Sequence, residues 1–219
     1  MDVPQRLGVL NLFLSLNFVN IDTNIDGYSM VDSWEDTVTK IASCSSCSSY
    51  LDCSRKIVGA GSSEASVVFV GERPSNKDLV SGSAFSGGSG KYLRKLMYRA
   101  GYRKGEVYLT YAIKCHYRSE VPEVSVQGHC VLHLLKQLDF IRPKLIVALG
   151  SVAFSALCPN IKREIGGCRG DKIPSYGYTV MPTWHPGFVI NSFSALREKE
   201  IEKDIKRSYR FAFFGSDDK

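Results

Sequence analysis

Short apolar runs alternate with longer amphipathic runs along most of this chain, and this alternation constrains its fold more than any other feature. Residues 66–70 and 145–149 form short, largely apolar runs of the kind found in central strands of parallel sheets. Two more strands and three helices follow the same scheme, with strands at 107–112 and 178–181 and helices near 90–100, 124–140 and 194–211. The pattern predicts an α/β fold, a three-layer α/β/α sandwich with a central, mostly parallel four-stranded sheet.

The length of 219 residues fits one main domain with short flanking segments. We predict an N-terminal extension over residues 1–32, a single domain over 33–213 and a polar tail over 214–219. Ser33, followed by Trp34, Glu35 and Asp36, predicts the N-cap of the first helix.

Composition limits the classes of partner and the compartment. The net charge of +6 favours a polyanionic partner without identifying one. The seven cysteines are an odd number, and neither a secretory signal nor a membrane-length apolar run is evident. We therefore expect an intracellular protein in a reducing compartment, cytoplasmic or nucleoid-associated, with no membrane partner.

A glycine-rich segment follows the first predicted strand. Gly71, Glu72, Arg73 and Pro74 come directly after it, and residues 81–90 carry four glycines before a helix opens near Lys91. Glycine permits close backbone approach and a helix N-terminus offers free N–H groups, so the segment predicts a site for an anion or a nucleotide. Its spacing matches neither common phosphate-binding motif.

Four cysteines have a spacing that indicates a metal site. Cys44 and Cys47 are separated by two residues, whereas Cys115 follows a predicted strand and Cys130 lies in a predicted helix. Four thiolates from two regions fit either zinc or a [4Fe–4S] cluster. Buried free thiols are the alternative interpretation of the same residues.

Several short motifs occur in a characteristic order over about residues 40–210. They are the Cys44–Cys47 pair, Gly71-Glu72 with Pro74, residues 83–87 with Gly90, residues 108–110 before 113–115, Cys130, Arg142-Pro143-Lys144, Leu149-Gly150, Arg169-Gly170, and Pro182-Thr183 before His185-Pro186. In this order they resemble the family 4 uracil-DNA glycosylases.

The resemblance implies an activity and a cofactor. Cys44, Cys47, Cys115 and Cys130 would bind a structural [4Fe–4S] cluster. His185 would donate a hydrogen bond toward uracil O2 as negative charge develops there. Glu72 would position a water or act as a weak base. The expected activity is excision of uracil or a related modified pyrimidine from DNA, in base excision repair or in viral or phage DNA metabolism.

The resemblance also assigns residues that contact the substrate and the DNA. Phe85 would stack on the extruded base, together with a base-binding group of Gly71, Arg73, Tyr111, Ser86 and Gly87. The expected DNA contacts are Lys91, Lys114, Arg169, Gly187 and Phe188. We expect DNA as the main partner, replication or repair proteins as further partners, and a monomeric protein.

Two departures from the family leave the activity open. Tyr111 stands where the family has the asparagine that reads the uracil edge, and a phenol cannot make both of that amide's hydrogen bonds. Arg73 replaces a small residue of the first motif. The alternatives to an active glycosylase are a weakened or inactive DNA-binding protein that assists replication, and a structural protein that binds other proteins.

Overall fold

The structure is a computed structural model that describes residues 33–47, 53–116 and 124–215, with side chains in the last range from residue 130 onward. The predicted extension over residues 1–32 and most of the predicted tail lie outside these residues. The predicted domain boundaries therefore stay a prediction.

The described residues form one six-stranded sheet with the order β1-β3-β2-β4-β6-β5. The strands are β1 (Ala60–Gly61), β2 (Val67–Gly71), β3 (Val107–Tyr111), β4 (Leu145–Leu149), β5 (Ile173–Ser175) and β6 (Tyr178–Thr183). The four central strands are parallel, and β1 and β5 pair antiparallel at the two edges.

The prediction of four strands was wrong in number, because it omitted both edge strands. β1 has two residues and β5 has three, which is too short to show the alternation that identifies a strand in a sequence. The mostly parallel character of the sheet is confirmed.

Helices cover both faces of the sheet, which confirms the three-layer sandwich. In chain order they are α1 (Trp34–Ala42), α2 (Asn76–Ser81), α3 (Gly88–Ala100), α4 (Val124–Ile141), α5 (Ser151–Leu157), α6 (Pro186–Ser192) and α7 (Ala195–Phe214). Side chains of α3, α6 and α7 pack on one face, and those of α1, α4 and α5 pack on the other. No helix among the described residues is long and apolar enough to cross a membrane.

The period of two along β2 explains this layering. Val67 and Phe69 belong to the core under α3 and α7, whereas Val68 and Val70 belong to the core under α4 and α5. All of β2 is buried, because it is covered on both faces. The predicted N-cap of α1 is confirmed, since the Ser33 hydroxyl accepts a hydrogen bond from Asp36 N–H at 3.0 Å.

The carboxyl ends of the parallel strands meet at one edge of the sheet. Gly71 at the end of β2 pairs in register with Tyr111 at the end of β3. Beyond them Ala112 N–H donates to the Gly71 carbonyl at 2.8 Å, and Ile113 N–H donates to the Glu72 carbonyl at 2.9 Å. Ligands of parallel α/β sheets bind at this edge.

We expect Ile205→Ala to lower the free energy of unfolding by about 2–5 kcal/mol, because the side chain is fully buried between α7 and the sheet. Lys203→Ala, two residues earlier on the exposed side of α7, is the control and should change it by less than about 0.5 kcal/mol. Urea denaturation followed by circular dichroism measures both. Equal effects would contradict the assigned faces of α7.

Candidate active site

One pocket opens at the carboxyl edge of the sheet, with a volume of about 360 Å³. It brings together segments that follow β2, β3 and β6. The lining residues are Arg73, Ser75, Asn76, Lys77, Asp78, Phe85, Gly87, Gly88, Ser89, Gly90, Tyr111 and His185. The glycine-rich segment, β3 and the Thr-x-His-Pro segment therefore form a single site.

His185 lines this pocket as the N-cap of α6. Its Nδ1 accepts a hydrogen bond from Gly187 N–H at 3.1 Å, so the ring proton of the neutral imidazole lies on Nε2. Burial lowers the pKa of His185 to about 4. Gly150 allows the imidazole to lie close to the end of β4, because a Cβ there would be 3.0 Å from the His185 Cβ. The site thus holds a neutral N–H donor at neutral pH.

Phe85 and Tyr111 are stacked on each other beside His185. Their ring centroids are 4.8 Å apart with an angle of 20° between the planes. Phe85 is 3% exposed and Tyr111 is 2% exposed. The aromatic residue predicted to stack on a base is therefore already covered by a neighbouring ring.

The carboxylate of Asp78 holds the walls of the pocket together. It accepts hydrogen bonds from the N–H and hydroxyl groups of Ser75 and Ser86 at 2.7–2.8 Å, and from the Tyr111 hydroxyl at 3.0 Å. Burial alone would raise the pKa of Asp78, but the donors from Ser75 and Ser86 hold it below its usual value.

Ser86 was predicted to bind substrate, and the structure argues against that role. Both of its donors point to the Asp78 carboxylate, so neither is available to a phosphate or a base. Gly87 does line the pocket, and Lys91 is exposed in the first turn of α3. Gly71 lies behind the pocket, where the Phe85 and Tyr111 rings occupy the space that a side chain would need.

Arg94 fixes the loop that carries Phe85. Phe85 has a positive φ of 56°, which is uncommon for a residue with a side chain. Arg94 Nη1 donates to the Phe85 carbonyl at 2.6 Å, and a Cβ on Gly90 would be 1.6 Å from the same oxygen. The glycine in α3 is therefore required by the close approach of this loop.

Glu72 and Arg73 lie at the mouth of the pocket. Arg73 Nε is 3.5 Å from Glu72 Oε1, and both side chains are partly exposed. Arg73 lines the pocket, whereas Glu72 is not among the described residues that do so. The Arg73 guanidinium thus lies in a pocket that Lys77 also lines.

Lys114 was predicted to contact DNA, and its burial contradicts this prediction. The residue is 1% exposed, and its ammonium donates to Thr110 Oγ1, the Tyr111 carbonyl and Gln137 Oε1 at 2.5–2.8 Å. Burial lowers the pKa of Lys114 to about 7. Its contacts join the end of β3 to α4.

Arg169 was also predicted to contact DNA, and it instead belongs to an ion-pair network on α7. Its guanidinium donates to both oxygens of Asp204 at 2.9 and 3.1 Å and to Glu200 at 2.9 Å. Asp204 accepts from the Thr183 hydroxyl, and Glu200 accepts from Trp184 Nε1, each at 2.7 Å. The network therefore anchors the two residues that precede His185.

Gly187 and Phe188 form the first turn of α6. Phe188 is 45% exposed, and the Arg197 guanidinium lies 4.7 Å from its ring centroid. Gly187 packs against Ser89, because a Cβ there would be 2.9 Å from the Ser89 hydroxyl oxygen. An aromatic side chain and a cation thus share the surface next to the pocket.

The four cysteines predicted to bind metal lie after α1, after β3 and on α4. Cys44 and Cys47 lie near enough to Cys130, and Cys47 and Cys130 near enough to Cys115, for a negative charge on one thiol to raise the pKa of the other. All seven thiols are free, and burial raises the pKa of Cys130 to about 11. Four cysteine side chains match the ligand type of a [4Fe–4S] cluster. Among the described residues, however, no three His, Cys, Asp or Glu groups form a ready metal-binding group.

A comparison of the sequence with known families gives a direct match. Residues 58–207 match the Uracil DNA glycosylase superfamily. The chain belongs to the uracil DNA glycosylase superfamily.

Curated relatives place it near one branch of this superfamily. It is 30% identical to a "Type-4 uracil-DNA glycosylase" of Thermotoga maritima, over 84% of this chain and 97% of the relative. It is 35% identical to the protein of the same name from Archaeoglobus fulgidus, over 81% of this chain and 92% of the relative. A third relative of that name, from Saccharolobus solfataricus, is 29% identical over 82% of this chain and 85% of the relative.

Two polar residues at or near the superfamily motifs were missed by the sequence analysis. Asp78 belongs to none of the motifs found in the sequence, and only the fold shows that five donors converge on it. Cys53 had no partner by spacing, yet its Sγ donates to the Arg55 carbonyl at 3.1 Å, and the neighbouring Cys115 lowers its pKa to about 6. Its position six residues beyond Cys47 was the only signal available.

We expect Arg169→Met to lower the free energy of unfolding by about 3–5 kcal/mol, because it leaves the buried Asp204 carboxylate without its cation. Lys206→Met, which breaks only the exposed pair with Glu202 on the same helix, is the control and should cost less than about 1 kcal/mol. Denaturant titration measures both. A small effect of Arg169→Met would show that Arg169 is not a structural residue.

Proposed function

We propose that this protein is a DNA glycosylase that extrudes uracil or a related modified pyrimidine from DNA and hydrolyses its N-glycosidic bond. The observation that carries the proposal is the neutral His185 donor at a pocket on the carboxyl edge of the sheet. The type-4 uracil-DNA glycosylase names of its relatives support the same chemistry.

The proposed role of His185 is to stabilise the departing base. As the bond between the base and the deoxyribose C1′ breaks, the electron pair moves onto the base and negative charge grows on its O2. A fixed N–H donor stabilises this charge more than it stabilises the neutral substrate, and it therefore accelerates the reaction. The Gly187 N–H bond to Nδ1 supports this role, because it keeps the proton on the opposite nitrogen.

The proposed role of Glu72 is to orient the water that completes the hydrolysis at C1′. Its pairing with Arg73 at 3.5 Å keeps a carboxylate and a cation next to the pocket entrance. Arg73 would then balance the negative charge of a nearby DNA phosphate.

The proposed DNA surface surrounds this entrance. Lys91 and the N–H groups that begin α3 would hold a phosphate, together with the backbone at Gly87. Gly187 allows close approach, and the exposed Phe188 would enter the gap left by the extruded base. Phe193, which is 92% exposed at the end of α6, extends this apolar edge.

The proposed cofactor is a [4Fe–4S] cluster held by Cys44, Cys47, Cys115 and Cys130. It would brace α1, the end of β3 and α4 against one another, and it would take no part in breaking the glycosidic bond. The buried ammonium of Lys114 beside Cys130 supports an anionic group at this position. Such a cluster and seven free thiols favour a reducing, intracellular compartment.

One observation favours a second candidate function, a DNA-binding protein of this fold with weak or no base release. Tyr111 covers Phe85 and directs its hydroxyl to Asp78, so the edge of a uracil finds no amide at this position. Such a protein would bind DNA with strong salt dependence and would leave the base in place.

We expect purified protein to release uracil from an oligonucleotide, and His185→Ala to slow this release by about 10²–10³-fold through loss of the N–H donor. Arg142→Ala, at an exposed position after α4, is the control and should leave the rate unchanged. Detection of abasic sites under single-turnover conditions measures both. Absence of base release from the wild-type protein would favour the second function.

The same assay gives a prediction on pH. Because the pKa of His185 is lowered to about 4, the ring stays neutral well below its ordinary value of 6.5. The ratio of the wild-type rate to the His185→Ala rate should therefore be constant between pH 5.5 and 8, and a step near pH 6.5 would contradict it. In the unfolded chain His185 takes up a proton near pH 6.5, whereas in the folded protein it does so only near pH 4. The free energy of unfolding should therefore fall as the pH drops from about 6.5 toward 4.

We expect Cys130→Ser to lose most of the bound iron and sulfide, because it removes one of the four proposed ligands. Cys158→Ser, at a buried thiol in the core between α5 and the sheet, is the matched control and should retain both. Elemental analysis and the visible absorbance of the protein measure the cluster. Full iron content in Cys130→Ser, or bound zinc in place of iron in the wild-type protein, would exclude the proposed cluster.

A further inference from the structure

Phe85 lines the pocket but leaves almost no ring surface open to a ligand. The Tyr111 ring covers it at 4.8 Å, and the whole Phe85 residue is only 3% exposed. A pyrimidine that stacks on an aromatic ring needs a free face of similar area. Phe85 can therefore receive a base only after the Tyr111 ring has moved.

Two hydrogen bonds hold Tyr111 in this position. Its hydroxyl accepts from Phe85 N–H at 2.8 Å and donates to Asp78 Oδ2 at 3.0 Å. Burial raises the pKa of Tyr111, so the hydroxyl keeps the proton that it donates. Both bonding directions of the hydroxyl are used within the protein, and none is left to read the edge of a base.

The Phe85 and Tyr111 rings pack closely against Gly71. A Cβ at Gly71 would lie 2.6 Å from Phe85 Cζ and 3.0 Å from Tyr111 Cδ1, so the rings occupy space that only a glycine leaves free. Asp78 is 2% exposed and is held by four further donors from Ser75 and Ser86. The acceptor that holds Tyr111 is thus itself fixed.

We propose that Tyr111 determines the specificity of this site: its ring occupies the place against Phe85 that an extruded pyrimidine would take, and a base is admitted only when the hydroxyl leaves Asp78. This inference rests on the proposed glycosylase function. Any base that enters must displace the Tyr111 ring from Phe85. Only a base that gains enough binding free energy from the rest of the pocket can do so. In the unaltered protein uracil finds no amide partner at residue 111, so only the rest of the pocket can bind it.

The test is a series of substitutions at Tyr111. Tyr111→Ala removes the ring, Tyr111→Asn removes it and supplies an amide for N3–H and O4, and Tyr111→Phe keeps the ring without its hydroxyl. Tyr102→Phe is the matched control, because it removes a buried hydroxyl that bonds to Ser208 away from the pocket. Thermal unfolding checks that each variant is folded.

The first measurement is the single-turnover release of uracil from single-stranded and paired oligonucleotides. We expect a gain of about 10- to 100-fold for Tyr111→Asn, because it removes the competing ring with its hydrogen bond to Asp78 and also supplies an amide to the base. Tyr111→Ala should gain less, Tyr111→Phe less again, and Tyr102→Phe nothing. If folded Tyr111→Ala and Tyr111→Asn release uracil no faster than the wild-type protein, the inference is wrong.

The second measurement separates this inference from the proposed function. Binding is compared between an oligonucleotide carrying 2′-fluoro-2′-deoxyuridine, whose glycosidic bond resists cleavage, and the same oligonucleotide carrying thymidine. The wild-type protein should bind both about equally, and Tyr111→Asn should prefer the uracil analogue by about tenfold. If no variant releases a base, the glycosylase function fails, and this preference alone supports or overturns the role of Tyr111. If Tyr111→Ala and Tyr111→Asn do not fold, the same two measurements on Tyr111→Phe decide whether Tyr111 has the proposed role.

Discussion

The carboxylate of Asp78 is the contact on which the geometry of this site depends. A buried carboxylate is costly unless donors surround it, and here Ser75, Ser86 and Tyr111 supply five hydrogen bonds. These donors come from the two ends of the glycine-rich segment and from the neighbouring strand. One anion therefore fixes the segment that follows β2, the loop that carries Phe85 and the end of β3 relative to one another. A donor that bonds to Asp78 cannot at the same time bond to a ligand.

Lys114, which is buried, and Arg169, which is partly buried, follow the same principle. Lys114 and Arg169 lie in motifs shared with DNA-binding proteins, but their charges are directed inward to Gln137 and to Asp204. Removing a partner from such a group is costly, because the remaining charge stays away from water. The motif residues of this superfamily thus include some that hold the loops in place and some that face the pocket, and only the fold separates the two.

The central part of the fold could be predicted from the sequence, because β2 and β4 are apolar throughout and the helices between the strands are strongly periodic. The edge strands could not, since a two-residue strand such as Ala60–Gly61 is defined by its pairing with β3 and has no pattern of its own. In the site, the segments at Gly71, Tyr111 and His185 meet because the carboxyl ends of parallel strands lie on one edge, and a predicted parallel sheet is enough to expect this. Which way a side chain points depends on partners distant in sequence, as with Ser86 and Arg169. The convergence of donors on Asp78 could not be predicted for the same reason.

The two halves of the pocket meet where Gly187 packs against Ser89, but different residues hold their functional side chains, and this bears on how the site can change. His185 is fixed by Gly187, by the close approach at Gly150 and by the Thr183–Asp204 contact, which lie on α6, after β4, and on β6 and α7. The stacked pair of Phe85 and Tyr111 is fixed by Asp78 and Arg94, on α2, α3 and β3. No residue among those just named belongs to both sets. A substitution at residue 111 can therefore alter which base fits while the donor at His185 keeps its position, and the chemistry of bond cleavage is separable from the choice of base.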